Sequence, residues 1–343
     1  MSVNKKIIET EAQVAVEDAF NVVTYSGNGS TQSITGVGFQ PDFVWIKVRS
    51  VVGYSNVVFD STRGATKRIY PDTTAAENSS GKLSSFDTDG FTFNGGGSSN
   101  VSGQDMVAWC WRANGGTTSS NTDGSITSTV QANQDSGFSI VKYTGVSGGG
   151  SWGHGLTQEP EFIIFKRYTS SQNWFVFAKI NGAWHIFEGL NTTAAAVNYA
   201  SYMSGSSTTM TLRNLTEFNT DPSSNYLAYC FHNVDGFSKF GSYTGTGGDL
   251  TVVTGFEPAF LMVKRTDVAN YDWYILDSER NPTDYRNKIL RANATQVEQT
   301  ITNGDVDVKF LSNGFEFDNI PSSSGGFNAT GGTYIYMAFA SAP

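Results

Sequence analysis

The sequence predicts an all-β protein: three tandem, homologous β-sandwich domains of jelly-roll or lectin-like type, preceded by a short N-terminal arm. A phrase of one proline, one variable residue, four apolar residues and one lysine occurs three times, at residues 41–47, 160–166 and 258–264. The chain is also poor in charged residues (15%) and rich in aromatic residues (13%) and glycine (37 residues). This composition is typical of many short strands joined by turns.

Each phrase predicts a buried strand. Proline cannot donate to a sheet ladder, and it therefore stands at the first residue of a strand or on a sheet edge. The run Phe-Val-Trp-Ile that follows Pro41 and Asp42 is β-branched and aromatic, which favours a strand. Because the run is apolar at every position, we expect both faces of the strand to be covered. We expect the lysine, such as Lys47, to mark the point where the strand returns to water.

Further motifs keep the same register and extend the repeat to roughly 90 to 100 residues. A Tyr-Ser-Gly or Tyr-Thr-Gly motif lies upstream of each phrase, and an aromatic strand closes each copy. The tyrosines are Tyr25, Tyr143 and Tyr243, and the closing strands are residues 106–111, 226–231 and 334–339. So long a period indicates three copies of one folding unit rather than the turns of a solenoid.

Two polar motifs lie between the phrase and the closing strand. Asp-Ser-x-Arg occurs at residues 60–63 and 277–280, whereas the second copy has Lys179 at the same offset and no arginine. Because the motif recurs in two copies, it predicts a structural ion pair or a turn cap rather than a catalytic acid. The other motif, Asp-Thr-Thr-Ala-Ala-Glu in the first copy, lies at residues 72–77, 191–196 and, four residues later than expected, 293–298.

These registers divide the chain into five segments. They are an N-terminal arm (1–19, from Met1 to Ala19), repeat 1 (20–112), a Gly/Ser/Thr-rich linker with an extra strand (113–136), repeat 2 (137–232) and repeat 3 (233–343). Almost no linker separates repeats 2 and 3, so we expect them to pack rigidly. Hairpin turns are predicted at Asp89-Gly90, Asn181-Gly182 and Asn313-Gly314.

Composition argues against several classes of protein. The net charge of −9 disfavours binding to duplex nucleic acid or to an anionic membrane. The sequence contains no run of about 18 apolar residues, so it predicts no transmembrane helix. The N-terminus also lacks the apolar core of a signal peptide. We therefore expect synthesis in the cytoplasm without export. Cys110 and Cys230 take the same position in repeats 1 and 2, where repeat 3 has Ala338, which predicts reduced cysteines in a small core site.

No motif predicts catalysis, a metal site or a cofactor site. Asp87-Thr88-Asp89-Gly90 begins like a calcium loop, but its fifth position is Phe91, so the motif predicts a turn. The three histidines, His154, His185 and His232, do not stand at metal-ligand spacing. We expect a protein that is not an enzyme, although a pair of carboxylates facing one cleft is left open.

Repeat 2 diverges from the other two at loop and hairpin positions. Its distinctive residues are Trp152, His154, Trp184, His185 and Tyr202. The glycine-rich segment before Trp152 predicts a flexible loop with an exposed aromatic ring. Aromatic side chains on loops contact sugar rings or anchor protein interfaces, so these five residues are the candidate ligand or interface contacts. The alternative, which we favour, is that they fill a junction between domains.

The combined motifs resemble a repeat domain common in tailed bacteriophages, particularly phages of marine bacteria and cyanobacteria. The resemblance rests on Tyr-[Ser/Thr]-Gly, Gly-Phe-x-Pro-x-Phe-x-x-x-Lys, Asp-Ser-x-Arg, Asn-Thr-Thr-Ala-Ala and the Ala-Trp/Tyr-Cys strand, and it covers residues 20–343. Proteins of this kind are similar to virion components of the tail-fibre or tail-associated type. The family supplies no catalytic residues, and repeat 2 departs from its pattern by lacking Asp-Ser-x-Arg.

The resemblance implies a non-enzymatic structural protein located in the virion after synthesis in the bacterial host. We expect a tail fibre or receptor-binding protein that contacts a host-surface glycan or protein, with residues 1–19 docking on other tail or capsid proteins. One alternative is a capsid decoration or head-fibre protein, in which the three repeats stand in for a trimer. Another is a depolymerase of surface polysaccharide. Whether the chain also forms a homotrimer is left open.

Overall fold

The protein is all-β in this computed structural model, which describes residues 19–198, 203–213, 218, 221–282, 285–301, 307–318 and 325–340. Over these residues the regular elements are strands, and every strand pair is antiparallel. The described part contains no helix long and apolar enough to cross a membrane. The predicted all-β, β-sandwich class is confirmed. The predicted arm lies outside the described residues except for Ala19, which is buried.

The strands follow the three sequence repeats. Repeat 1 holds β1 (Phe20–Ser26), β2 (Thr31–Ile34), β3 (Phe43–Val48), β4 (Val57–Asp60), β5 (Arg68–Ile69), β6 (Leu83–Asp87), β7 (Gly90–Asn94) and β8 (Asp105–Trp111). The linker holds β9 (Ser119–Asn121) and β10 (Ser128–Asn133). The described part of repeat 2 holds β11 (Phe138–Thr144), β12 (Gly149–Gly153), β13 (Phe162–Arg167), β14 (Trp174–Ile180), β15 (Ala183–Glu188), β16 (Ala196–Asn198), β17 (Met203–Gly205), β18 (Thr209–Arg213) and β19 (Asn225–Phe231). The described part of repeat 3 holds β20 (Ser238–Thr244), β21 (Leu250–Val253), β22 (Pro258–Arg265), β23 (Trp273–Asp277), β24 (Lys288–Arg291), β25 (Gln299–Thr300), β26 (Asp307–Leu311), β27 (Gly314–Asp318) and β28 (Thr333–Ala340).

Each repeat forms one large sheet and one three-stranded sheet with the same strand order. Repeat 1 has the orders β1-β8-β3-β4-β5 and β2-β7-β6. Repeat 2 has β11-β19-β13-β14-β15-β16, extended beyond β11 by β10 and β9, and β12-β18-β17. Repeat 3 has β20-β28-β22-β23-β24-β25 and β21-β27-β26. The internal repeat is therefore one of strand topology as well as of sequence.

The three predicted hairpins are present, and the turn at Asn181-Gly182 has the predicted residues. Ile180 pairs with Ala183 across the Asn181-Gly182 turn, and both turn residues have positive φ (51° and 78°). A two-residue turn of this kind matches the twist of the flanking strands, and it favours Asn-Gly because both central residues need positive φ. Hairpins also join β6 to β7 and β26 to β27, but their turn residues are Thr88-Asp89 and Ser312-Asn313, one residue earlier than predicted, because Gly90 and Gly314 already pair as strand residues.

A separate hydrophobic cluster fills each sandwich, between the large and the small sheet of one repeat. Val44 and Ile46 of the phrase strand β3 point into the cluster of repeat 1, together with Phe91 of the small sheet. Cys110 and Cys230 occupy matching places in the clusters of repeats 1 and 2, where they are buried and unpaired, as predicted.

A fourth hydrophobic cluster, here called the central cluster, takes side chains from all three repeats. It holds the alternate residues of the phrase strands and of the closing strands, among them Phe43, Trp45, Trp109, Trp111, Phe162, Ile164, Tyr229, Phe231, Phe260, Met262, Met337 and Phe339. Rings of different repeats touch here: the Trp111 and Phe260 centroids are 5.7 Å apart, and those of Phe43 and Tyr229 are 4.4 Å apart.

The central cluster explains why the phrase is apolar at every position. Phe43 and Trp45 face the central cluster, while Val44 and Ile46 face the sandwich of repeat 1. Both faces of the phrase strand are therefore covered, as predicted. Because one hydrophobic core is shared by the repeats, the division into three separate domains stays a prediction.

The substitution Trp111→Ala tests the shared core. Trp111 is 1% exposed and packs against rings of repeat 1 and repeat 3. We expect a loss of about 3–5 kcal/mol in the free energy of unfolding, because a large cavity opens in a close-packed region. Since the cluster is common to all repeats, differential scanning calorimetry should show one transition that shifts as a whole.

The matched control for that substitution is Val52→Ala. Val52 is 63% exposed, so we expect a change within about 0.5 kcal/mol. Separate calorimetric transitions, of which Trp111→Ala moves only one, would contradict a shared core.

Candidate functional site

The two predicted tryptophan contacts lie inside repeat 2 rather than on its surface. Trp152 is on β12, is 1% exposed and stacks on Tyr143 with ring centroids 5.4 Å apart. Trp184 is on β15, is 5% exposed and donates from Nε1 to Oε1 of Glu159 at 3.1 Å. The expectation of a flexible loop with an exposed ring at Trp152 is wrong, because the glycine-rich segment is a strand of the small sheet. Both rings belong to the sandwich core of repeat 2, not to a junction between repeats.

The other three predicted contacts do not join them in one surface. His154 is fully buried after β12, with Nε2 3.3 Å from the carbonyl oxygen of Ser206, and burial lowers its pKa to about 4. His185 is half-buried on β15, with Nδ1 2.9 Å from the carbonyl oxygen of Ala183. Tyr202 lies outside the described residues. The four described residues therefore form no common exposed surface.

The contacts that the sequence did not reveal lie between the repeats, at what we call the docking loops, residues 72–77, 191–196 and 293–298. The side chain of the first residue of each loop caps a backbone N–H of its own repeat, as Asn191 caps Trp174 at 2.9 Å. The third and sixth residues form backbone hydrogen bonds to another repeat. These are Gln172 N to Thr74 O, Glu77 N to Tyr168 O, Asn270 N to Thr193 O, Ala196 N to Thr266 O, Gly53 N to Thr295 O and Glu298 N to Arg49 O.

These bonds close the three repeats into a ring. The loop of repeat 1 docks on repeat 2, that of repeat 2 on repeat 3, and that of repeat 3 on repeat 1. In every case the partner residues stand 8 and 12 positions after the phrase proline. A head-to-tail interface that closes on itself makes a ring rather than a filament. We call the three junctions the 1–2, 2–3 and 3–1 seams.

The 1–2 seam contains a buried ion network. The hydroxyl of Tyr229 donates to Oδ2 of Asp60 at 2.7 Å, and Arg63 binds the same oxygen at 2.5 Å. Arg63 also contacts Glu77 of the docking loop at 3.1 Å. Burial and the neighbouring Asp60 carboxylate raise the pKa of Tyr229 well above its usual value, so the phenol stays a donor. The predicted structural ion pair in Asp-Ser-x-Arg is confirmed.

The 3–1 seam repeats the network with tryptophan in place of tyrosine. Trp109 donates from Nε1 to Oδ2 of Asp277 at 2.9 Å, and Arg280 binds that oxygen at 2.6 Å. Glu298 of the docking loop bridges Arg280 at 3.0 Å and Arg49 of repeat 1 at 2.9 Å. Because no short linker joins repeats 1 and 3, this seam is held by non-covalent contacts.

At the 2–3 seam, the sequence offset from the proline identified the wrong counterpart of Asp60 in repeat 2. Phe162 pairs with Ala178 across β13 and β14, as Phe43 pairs with Asp60. The counterpart of Asp60 is therefore Ala178, not Lys179. One residue fewer between the two strands of repeat 2 explains the shift, and an equal offset from the proline could not show it.

The ion network is replaced as a unit at the 2–3 seam. Met337 stands where Tyr229 and Trp109 stand in the other closing strands, and Met337 and Ala178 both lie in the central cluster. Ala196 takes the place of the docking-loop glutamate. Loss of one member of a buried ion pair is costly, whereas replacement of the whole pair by packed apolar groups is often neutral. The apolar seam is consistent with that rule.

The three phrase lysines are buried, so the expectation that they return to water is wrong. Lys47, Lys166 and Lys264 are each 0% exposed. Each amine donates to a carbonyl oxygen of its own repeat, and the first two also donate to the docking loop of the preceding repeat. The acceptors are Tyr54 and Ala294 for Lys47, Gln172 and Thr74 for Lys166, and Tyr271 for Lys264. The sequence feature that could have predicted these buried hydrogen bonds is the lysine at the same position in all three copies.

Burial lowers the pKa of these three amines. The pKa is lowered to about 8 for Lys47, about 7 for Lys166 and about 8 for Lys264, because burial penalises the charged form. The nearby Asp72 carboxylate opposes the shift for Lys47.

An open polar pocket of about 410 Å³ lies at the 2–3 seam. Its wall contains three carboxylates, three side-chain amides, one lysine, one valine and the imidazole of His232. Among the described residues, no three His, Cys, Asp or Glu side chains are placed to hold a metal ion. The pocket therefore presents hydrogen-bonding groups to solvent rather than a metal-binding set.

A family model described as a domain of unknown function, DUF7483, matches residues 16–343. The chain belongs to this family. The match spans all three repeats. A search of curated proteins and a search of solved structures each found no match.

The substitution Asp277→Ala tests the ion network in this DUF7483 chain. It removes the carboxylate that Arg280 and Trp109 share, which leaves Trp109 without that acceptor and the buried Arg280 paired with Glu298. We expect the free energy of unfolding to fall by about 3–5 kcal/mol, as measured by denaturant unfolding. The control Lys179→Ala removes a partly exposed ion pair with Glu159 and should cost under about 1 kcal/mol. Equal effects of the two substitutions would refute a structural role for the buried network.

The buried lysines predict that stability rises with pH. Between about pH 7 and the unfolded lysine pKa of 10.5, the unfolded chain binds more protons than the folded chain, so deprotonation favours folding in this range. We expect the free energy of unfolding to increase from pH 6.5 to pH 9, and Lys166→Met to reduce that slope. The range stops at pH 9 because the buried tyrosines, whose pKa is raised, oppose the trend at higher pH. An unchanged slope in Lys166→Met would count against a lowered lysine pKa.

Proposed function

We propose that the chain is a non-enzymatic structural protein of a tailed-phage virion, and that its role is host contact at the tail. The proposal starts from the resemblance of the repeat motifs to those of phage tail-associated proteins. The structural observation that supports it is the closed ring of three repeats around the central cluster. Such a ring is suited to a particle that is assembled inside a cell and persists outside it.

The outer faces of the small sheets support contact with a hydroxyl-rich partner. In repeat 1, the hydroxyls of Ser33 and Thr92 lie 2.7 Å apart on neighbouring strands, and Ser33 is exposed. In repeat 2, Ser204 is exposed on β17, paired with Thr211 on β18. Hydroxyl groups both donate and accept hydrogen bonds, as a glycan surface does.

A capsid decoration or head-fibre protein is the second candidate. The observation that favours it is that one chain already contains three equivalent sandwiches in a ring. Such a chain could occupy a threefold or pseudo-threefold position on a shell without further self-association.

A depolymerase receives less support from the geometry. Asp60 and Asp277 were the acidic residues that recurred in the sequence. Both are buried at the seams, and each is paired with an arginine. A glycosidase instead needs two carboxylates that flank one accessible cleft. These two aspartates are thus better suited to structure than to catalysis.

Gold labelling of purified virions with an antibody against this chain tests the proposal. We expect label at the tail, with pre-immune serum on the same particles as the control. Label over the head would overturn the tail role and support decoration of the shell. A particle free of label, with the chain detected only in the infected-cell lysate, would overturn both.

A separate measurement tests whether the chain cleaves polysaccharide. The purified chain is incubated with polysaccharide from the host surface, and new reducing ends are counted. We expect the number to equal that in a sample with heat-unfolded protein. A time-dependent increase over that control would show a depolymerase instead.

A further inference from the structure

The pocket at the 2–3 seam lies next to the residue that follows the phrase proline. At the 1–2 seam, the equivalent space is filled by a buried carboxylate. The residue after the phrase proline is Asp42 in repeat 1 and Glu161 in repeat 2. Asp42 is fully buried, and its carboxylate accepts hydrogen bonds from the backbone N–H groups of Ala113, Gly115 and Gly116 at 2.7–2.8 Å. At the 1–2 seam the carboxylate therefore closes the space between the strand and the following loop.

At the 2–3 seam the same arrangement is open. Glu161 accepts one of the equivalent bonds, from Asn233 N–H at 3.1 Å. The residue in the place of Gly115 is Asp235, counted from the end of the closing strand. Gly115 donates its backbone N–H to Asp42, whereas no hydrogen bond joins the described residues Asp235 and Glu161, whose like charges oppose a close approach. The result is a pocket whose wall also includes Asp135.

One side-chain nitrogen on this wall lacks a hydrogen-bond partner among the described residues. His232 is 3% exposed, and its Nδ1 lies 2.8 Å from the carbonyl oxygen of Asn233. A carbonyl oxygen only accepts, so Nδ1 donates to it. Within the described residues Nε2 has no hydrogen-bond partner, although it is buried. Buried polar atoms are nearly always paired, so this ring nitrogen indicates a missing partner.

Donors and acceptors are both present in the pocket. The acceptors are the three carboxylates, the donors are Lys239 and the amides of Gln134, Gln158 and Asn233, and His232 contributes the ring nitrogen Nε2. Lys239 forms no ion pair with a carboxylate of the described residues, and neither do Asp135, Glu161 and Asp235. These groups are therefore available to a ligand.

We propose that this pocket binds a neutral, hydroxyl-rich saccharide. A sugar hydroxyl both donates and accepts, so it matches a wall of mixed character. A polyamine would suit the three carboxylates, but it offers only donors and would leave Lys239 and the amide N–H groups without an acceptor. An acidic sugar would meet three carboxylates against one amine. The volume of about 410 Å³ lies in the usual range of small-ligand pockets.

Binding should be weak. The lining residues include no phenyl, phenol or indole ring on which a sugar could stack, and stacking supplies much of the contact energy in such sites. We expect a dissociation constant on the order of millimolar. The inference rests on the proposed host contact, since repeated weak sites on one particle would act together.

Saturation-transfer NMR on the full-length chain tests the assignment. The probes are glucose, galactose, N-acetylglucosamine and maltose, with spermidine as the cationic alternative. We expect at least one saccharide to bind and roughly tenfold weaker binding in Glu161→Gln and in Asp235→Asn, because each removes an acceptor charge. The matched control is Glu257→Gln, an exposed carboxylate that is not among the residues lining the pocket. Circular dichroism establishes that each variant is folded.

Three results would overturn the assignment. They are no saccharide signal at tens of millimolar, equal binding by the variants and the parent chain, or binding of spermidine alone. Label at the tail with unchanged sugar binding in the variants would reject this pocket and leave the proposed function standing. Label over the head with pocket-dependent sugar binding would reject the tail role and keep the pocket.

Discussion

A strand that is apolar on both faces must be packed against other protein on each face, and the rest of this structure depends on that requirement. The small sheet of each repeat covers one face of the phrase strand. The other face has no partner within its own repeat, and it is covered by the equivalent faces of the two other repeats. Burial of apolar surface is the main favourable term in folding. A ring of three is the arrangement in which every large sheet buries its second face at the same time.

Closing an apolar centre places polar groups at the seams, where each must find a partner. The docking loops solve this with two backbone hydrogen bonds per seam, which any side chain tolerates. The phrase lysines supply donors to carbonyl oxygens that the sheets leave unpaired. The ion networks vary more: two seams have Asp, Arg and Glu together, and the third has Ala178, Met337 and Ala196 in the corresponding places. The backbone contacts thus define the ring, while side chains adjust each seam.

Periodicity and turn residues were enough to predict the class, the hairpins and the ion pair at Asp60, because these features depend on neighbours within one repeat. The burial of Lys47 depends on Ala294, which lies 247 residues away in sequence, and no local pattern contains that contact. Trp152 looked exposed because glycine-rich segments are usually loops, yet its ring is needed to fill the core of repeat 2. Lys179 was misassigned because a one-residue difference between paired strands is invisible without register.

The first strand, β1, and the last described strand, β28, meet in the central cluster. The rings of Phe20 in β1 and Phe339 in β28 stack with centroids 4.9 Å apart. The fold is therefore defined by the cyclic order of the repeats and not by which repeat comes first along the polypeptide. A circular permutant that joins repeat 3 to repeat 1 and begins at repeat 2 would retain the same neighbours at every seam.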